Sequence, residues 1–112
     1  MPDETVSFQD FQHLDLRVGK VLDVRDHPNA SKLYIMDIDL GPELGTRQVI
    51  AGMKPYMPPD ALQDMLLVVV ANLEPAVIRG EESRGMMLAA EDADTVVPLT
   101  PASPLAPGSK VL

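Results

Sequence analysis

The chain has no cysteine, no tryptophan, only two tyrosines and two phenylalanines, and nine lysines plus arginines against seventeen aspartates plus glutamates. The missing cysteines exclude disulfides, thiolate zinc sites and a cysteine nucleophile. With His13 and His27 as the two imidazoles, little is left for metal chemistry and no cofactor is expected. No apolar run approaches the roughly 20 residues of a membrane span. The opening MPDETVSFQD lacks the basic, then apolar order of a signal peptide, so a soluble cytoplasmic protein with no membrane partner is expected. The net charge of −8 makes the average surface field repel phosphates, so contact with nucleic acid would need a locally basic face. Such a face is compatible with the charge distribution, because carboxylates crowd at Asp3, Glu4 and Asp10 and again at Glu91, Asp92 and Asp94.

A length of 112 residues fits a single domain, here 1–112, with a core of about 14–92 and polar or Pro-rich extensions of about 1–13 and 93–112. The reading between the extensions is mostly β. From Leu16 to Val24, Leu16, Val18, Leu22 and Val24 are interspersed with Arg17, Lys20 and Asp23, as in a half-buried strand. Gly19 inside it marks a bulge or a sharp bend by which one strand serves two sides of a small barrel. The turn at His27 to Ala30 leads to a second strand, Leu33 to Leu40, with Asp37 and Asp39 on its polar side, closed by Gly41 to Gly45. Arg47 to Ala51 reads as a third strand, and Pro58 and Pro59 open a short helix ending near Asp64. Met65 to Ala71 is the most apolar run and predicts a strand buried on both faces. Met86 to Ala90 and Val96 to Leu99 read as a fifth strand and a short sixth. Ser7 caps a helical turn whose Phe8 and Phe11 are expected to cover one end of the core.

Five strands with a short helix between the third and fourth give the order of an OB-fold, a small partly open Greek-key barrel, so the fold class is all-β. The ordered stretches Asp15-Leu16-Arg17-Val18-Gly19-Lys20-Val21, His27-Pro28-Asn29-Ala30-Ser31-Lys32-Leu33-Tyr34, Asn72-Leu73, and Arg79-Gly80 through Ser83, Gly85, Met86 and Leu88-Ala89-Ala90 resemble the tRNA-binding domain family. That family includes the C-terminal domain of bacterial methionyl-tRNA synthetase, the endothelial monocyte-activating polypeptide domain and the free-standing CsaA-type proteins. The resemblance runs from about Phe8 to the end. It implies a non-catalytic module holding the outer corner of tRNA by shape and backbone, and a homodimer joined through the terminal extensions. It also admits an aminoacyl-tRNA synthetase as partner. The scarcity of aromatics agrees with this mode, since single-strand binders stack successive bases on several aromatic rings.

Arg17, Lys20, Lys32, Arg79 and Arg84, expected on the exposed side of the first strand and in the loops at the barrel mouth, are candidate phosphate contacts. Asn29 and Asn72 offer amides, Ser83 a hydroxyl for a 2′-OH, and Met86 an apolar surface. The resemblance assigns binding positions to Asn29, Lys32, Arg79, Ser83 and Met86. Plainer roles compete: a strand-face Arg or Lys is more often solvated surface, Asn29 and Asn72 can satisfy turns or backbone, and Met86 can belong to the core. The segment Asn72 to Arg84 reads as a long loop, and it departs from the family pattern where Glu74 replaces a usual Lys and Val77 another; Glu81 and Glu82 add repulsion. An enzyme is not expected, because the pair Asp37 and Asp39 lacks a nucleophile or base beside it and the spacing of Gly80 and Gly85 lacks the Lys-Ser/Thr of a phosphate loop. The rival reading is a CsaA-type chaperone-like protein, taking unfolded polypeptides in grooves lined by Met53, Met57, Met65, Met86 and Met87.

Overall fold

Ser7 caps the first helix as expected in the computed structural model, which describes residues 4–112. Its Oγ accepts a hydrogen bond from the Asp10 N–H at 3.0 Å and opens α1 (Phe8–Gln12), satisfying one donor that a first turn leaves free. The two phenylalanines do not cover the core. No residue of α1 is buried, and Phe8 is 71% and Phe11 41% exposed, because this short helix lies along the flank of the barrel.

The strand β1 (Leu16–Asp26) is eleven residues long and serves two partners in turn. Its first half pairs with a later strand from Leu16↔Val70 to Lys20↔Leu66, and its second half pairs with β2 (Tyr34–Asp39) from Lys20↔Asp39 to Asp26↔Tyr34. The changeover falls beside Gly19, where an added Cβ would lie 2.5 Å from Ile38 Cγ2 and 2.9 Å from Leu40 Cδ2. Glycine is needed there for close approach across the barrel, and a register shift between Val21 and Asp23 adds to the bend.

The Gly41 to Gly45 closure is a short helix, α2 (Gly41–Leu44), opened by Pro42 within its first turn. It is followed by β3 (Thr46–Ala51), α3 (Pro59–Leu62) and β4 (Leu66–Val70). Inside β4, Leu67 and Val69 are fully buried, whereas Leu66 and Val68 are half-buried; the outer face of this strand is covered only in part, so burial on both faces is incomplete. The loop expected from Asn72 to Arg84 contains a hairpin, β5 (Ala76–Ile78) and β6 (Glu81–Ser83). The expected fifth strand divides into β7 (Met86–Met87), on the edge of the main sheet, and β8 (Ala89–Asp92), which forms a separate hairpin with β9 (Thr95–Pro98).

The main sheet is antiparallel throughout, in the order β3-β2-β1-β4-β7. Its two edges approach where the Arg84 N–H donates to the Gln48 carbonyl at 2.8 Å, so the sheet curls into a nearly closed five-stranded barrel of the OB type. Met36, Ile38, Leu40, Val49, Leu62, Leu67 and Val69 fill it. Beyond β9 the chain returns along β1: Val18 N–H donates to Ser109 O, Gly108 N–H to Val18 O, and Val111 N–H to Leu16 O, at 2.7–2.9 Å. No helix among the described residues is long and apolar enough to cross a membrane.

Candidate nucleic-acid interface

Two connections of the barrel meet at one end, the turn after β1 and the β5–β6 hairpin between β4 and β7. The first is organised by His27, which is 4% exposed. Its backbone N–H donates to Leu33 O at 3.1 Å and its Nδ1 accepts from the Asn29 N–H at 2.9 Å, closing the turn through Pro28. The second is a two-residue hairpin turn, Arg79-Gly80, between paired Ile78 and Glu81. Both central residues have positive φ, 52° for Arg79 and 87° for Gly80, as a type I′ turn requires. Arginine is a poor residue there, because its Cβ crowds the left-handed backbone.

The turn and the hairpin tip are bonded to one another. Nε2 of His27 lies 2.9 Å from the Ile78 carbonyl, and the Asn29 amide donates to the Arg79 carbonyl at 3.2 Å. An open cleft between them is lined by Asn29, Ser31, Lys54 and Arg79, with Lys32 next in the chain. Lys54 escaped the sequence reading, since nothing in the segment after β3 marks it; the fold brings it to the cleft, where its Nζ pairs with Asp26 at 3.2 Å. Lys32, Arg79 and Arg84 are exposed and make no ion pair among the described residues. The cleft can therefore offer an anion the Arg79 guanidinium, the Lys54 ammonium that Asp26 shares, and the Asn29 amide.

The other predicted residues are disposed differently. Arg17 is not on the solvated side of β1. It is 8% exposed, donates to Asp15 at 2.6 Å and to Gly108 O at 3.1 Å, and pairs with Glu43 at 3.1 Å, fastening the C-terminal segment to the barrel. Its hydrogen bond to Asp15, then that to Glu43, outweigh its desolvation and raise its pKa above the ordinary arginine value. The expectation of exposure failed because the returning tail covers the outer face of this strand. Lys20 is half-buried on β1, opposite Asp39. Asn72 accepts from Asp15 N–H at 2.8 Å and donates to His13 O at 2.7 Å, tying the entry to β1 to the end of β4, so both ends of its amide are occupied. Ser83 is 5% exposed; its Oγ accepts from Ile50 N–H at 3.0 Å and donates to Gly85 O at 3.1 Å. Its hydroxyl seals the hairpin onto β3 and does not face solvent. Met86 is 45% exposed, and it is Met87 that enters the core.

The outer face of β1 to β3 is acidic and internally paired. Arg25 bonds Asp23 at 3.0 Å, Asp37 at 3.1 Å and Gln48 at 3.0 Å. Desolvation alone would lower its pKa, but Asp37 and Asp23 raise it. No group of three or more His, Asp or Glu among the described residues is placed to hold a metal ion.

A family described as "Putative tRNA binding domain" matches residues 16–110. The methionine–tRNA ligase of Pyrococcus horikoshii is 51% identical over 108 residues, which are 96% of this chain and 15% of the ligase. That of Thermotoga maritima is 45% identical over 106 residues, 95% of this chain and 16% of the ligase. The chain thus spans about a sixth of the length of the curated relatives it matches. Among solved structures, the chaperone CsaA of Bacillus anthracis superposes with a TM-score of 0.87 at 32% identity, covering 97% of this chain and 100% of that one. The MetRS related protein of Pyrococcus horikoshii does so with a TM-score of 0.90 at 26% identity, covering 97% and 99%. Agreement in sequence over nearly the whole length, on the same barrel, leaves one conclusion: the chain belongs to the tRNA-binding domain family.

Proposed function

We propose that the protein binds the outer corner of structured tRNA at the cleft between the His27 turn and the β5–β6 hairpin, without catalysing a reaction, in the cytoplasm. The observation that carries this reading is Arg79, an exposed arginine without an ion pair among the described residues, held at the tip of a tight turn in a backbone conformation that disfavours it, in a cleft also lined by Lys54. Strained residues held by their surroundings concentrate at binding sites. The placement also agrees with the OB architecture, whose ligands lie near the connections after the first and fourth barrel strands. Arg79, Lys32 and Arg84 supply phosphate contacts, with Asn29 and Met86 offering an amide and an apolar surface; Lys20, half-buried, is a peripheral contact. Arg17, Asn72 and Ser83, whose polar groups are committed within the fold, act on tRNA only by holding the interface in shape.

Readout of unpaired bases on the sheet face is disfavoured by the acidic network around Arg25. The test is titration of labelled unfractionated tRNA at several salt concentrations. A steep negative salt slope, reduced by Arg79→Glu, supports the reading, and absence of binding at low salt refutes it.

The protein is further proposed to be a homodimer, and to serve an aminoacyl-tRNA synthetase by delivering tRNA. Support for the dimer is a groove of about 350 Å³ whose lining includes Phe8, Phe11, Leu14, Leu16, Val111 and Leu112. The exposure of Phe8 and Phe11 points the same way, since apolar patches of this kind mark interfaces. Light scattering after size exclusion that gives a monomer mass at micromolar concentration refutes it. The same groove favours the second reading, binding of apolar polypeptide segments. The methionine-lined grooves expected for that role are not formed: Met53 and Met87 are core, Met57 and Met65 pack against it, and only Met86 is exposed. Binding of unfolded apolar peptides without tRNA binding would favour this alternative.

A further inference from the structure

Among the buried polar groups, His27 is the one whose ring spans two separate connections of the barrel. The Asn29 N–H is necessarily the donor to Nδ1, so Nδ1 is unprotonated and the ring proton lies on Nε2, which donates to Ile78 O. One imidazole therefore closes its own turn with one nitrogen and grips the hairpin, 51 positions along the chain, with the other. The carbonyl before Arg79 is held by His27 and the carbonyl of Arg79 itself by Asn29, so both peptide groups flanking the strained residue are fixed by one turn. Ser83 and Gln48 hold β6 to β3, but a two-residue hairpin of short strands is marginally stable in water, and at its tip the bonds from His27 and Asn29 are the ones that reach the peptide groups around Arg79.

We infer that His27 is the positioning residue of the tRNA interface, a neutral Nε2–H imidazole that staples the β5–β6 hairpin to the turn after β1 and so fixes where Arg79 meets a phosphate. This rests on the binding reading above. Neither nitrogen touches the ligand. The role is transmitted through the Ile78 carbonyl, and it requires a donor at the Nε2 position more than an acceptor at the Nδ1 position. Glutamine places an amide N–H near the former and asparagine an amide oxygen near the latter, so the two substitutions separate the halves of the staple.

The experiment measures labelled unfractionated tRNA binding at about 0.1 M salt for His27→Gln, His27→Asn, Arg79→Ala and the His27→Asn/Arg79→Ala double variant. Arg79→Ala is expected to weaken binding about eightfold, the loss of one phosphate contact at this salt. His27→Asn should weaken it several-fold, His27→Gln by less than about twofold, and the double variant no more than Arg79→Ala alone, since His27 acts through Arg79. Nitrogen-15 NMR of the imidazole should show the proton on Nε2, and in His27→Asn the amide shifts should move in residues 76–83 while barrel strands stay put. Equal losses for Asn and Gln, an additive double variant or a proton on Nδ1 would overturn the inference. If Arg79→Ala leaves binding unchanged the tRNA reading of this cleft fails, and with it the functional half of the staple, whose structural half is still decided by the NMR spectra. Far-UV circular dichroism confirms that the variants fold.

Discussion

Replacing Arg79 by asparagine should move stability and binding in opposite directions. Asparagine tolerates positive φ far better than arginine, and Asn-Gly is a preferred pair for a two-residue hairpin turn. Left-handed backbone costs an ordinary residue about 1 kcal/mol, most of which asparagine avoids. For a chain of 112 residues, an unfolding entropy near 2.1 cal/mol/K per residue gives about 0.24 kcal/mol/K in all, so a gain of about 0.5–1 kcal/mol raises Tm by about 2–4 °C. Loss of one phosphate contact reduces the slope of log K against log salt by about 0.9, which at 0.1 M is about eightfold in affinity. Thermal melts followed by circular dichroism and tRNA titrations on the same samples read both quantities. A lower Tm for Arg79→Asn would show that the turn holds arginine without strain. An unchanged affinity and salt slope would show that this guanidinium meets no phosphate, and the argument from strain to function would fail.

Other substitutions test the surroundings of the site. Asp26→Asn frees Lys54 and removes a negative charge from the cleft, so tRNA should bind a few-fold tighter at low salt, a gain that shrinks to the part due to the lost carboxylate in the additional variant Lys54→Ala. Ser83→Ala leaves the buried Ile50 N–H without its acceptor and should lower stability by about 1–3 kcal/mol in denaturant melts. Gly19→Ala forces a methyl against Ile38 and Leu40 and should cost about 1–3 kcal/mol, with Tm falling while the barrel persists by circular dichroism.

The barrel was legible because its strands announce themselves through physics that acts locally. Alternation in β1 and β2, the apolar run of β4 and the Pro-Pro opening of α3 each depend on neighbours in sequence, and Gly19 marked the bend because nothing larger fits between Ile38 and Leu40. The β5–β6 hairpin was hidden for a converse reason. Ala-Val-Ile and Glu-Glu-Ser are too short for a period to register, and Arg-Gly is not a usual turn pair, so the segment read as a loop. Site residues divided by whether the tail reaches them. Lys32, Arg79 and Arg84 stay exposed as expected, but alternation cannot tell that residues 108–111 return along β1 and cover Arg17. Ser83 carried a family binding position and Asn72 stood in a family motif, yet their partners, Ile50 N–H and His13 O, lie 33 and 59 positions away and leave no local trace.

The charge balance, which argues against RNA on average, looks different once pairs are resolved. Asp15, Asp23, Asp37 and Glu43 face Arg17 or Arg25, so part of the negative charge is locally compensated. Glu91, Asp92 and Asp94 lie in and around the β8–β9 hairpin, a separate two-stranded unit. Of the six cations without an ion pair among the described residues, Lys32, Arg79 and Arg84 belong to the two connections that His27 joins or to their immediate flank. With a Debye length of about 8 Å at physiological salt, a phosphate in the cleft responds mainly to charges within a few residues of it. Asp26, which lines the cleft, and Glu81 and Glu82, beside Arg79, are thus the carboxylates that matter most; Asp26 is paired with Lys54, and neither glutamate is neutralised by an ion pair among the described residues. A protein built this way should associate with tRNA more slowly than a basic homologue at low salt, where the whole anionic surface is felt, and approach it as salt screens the remote charges.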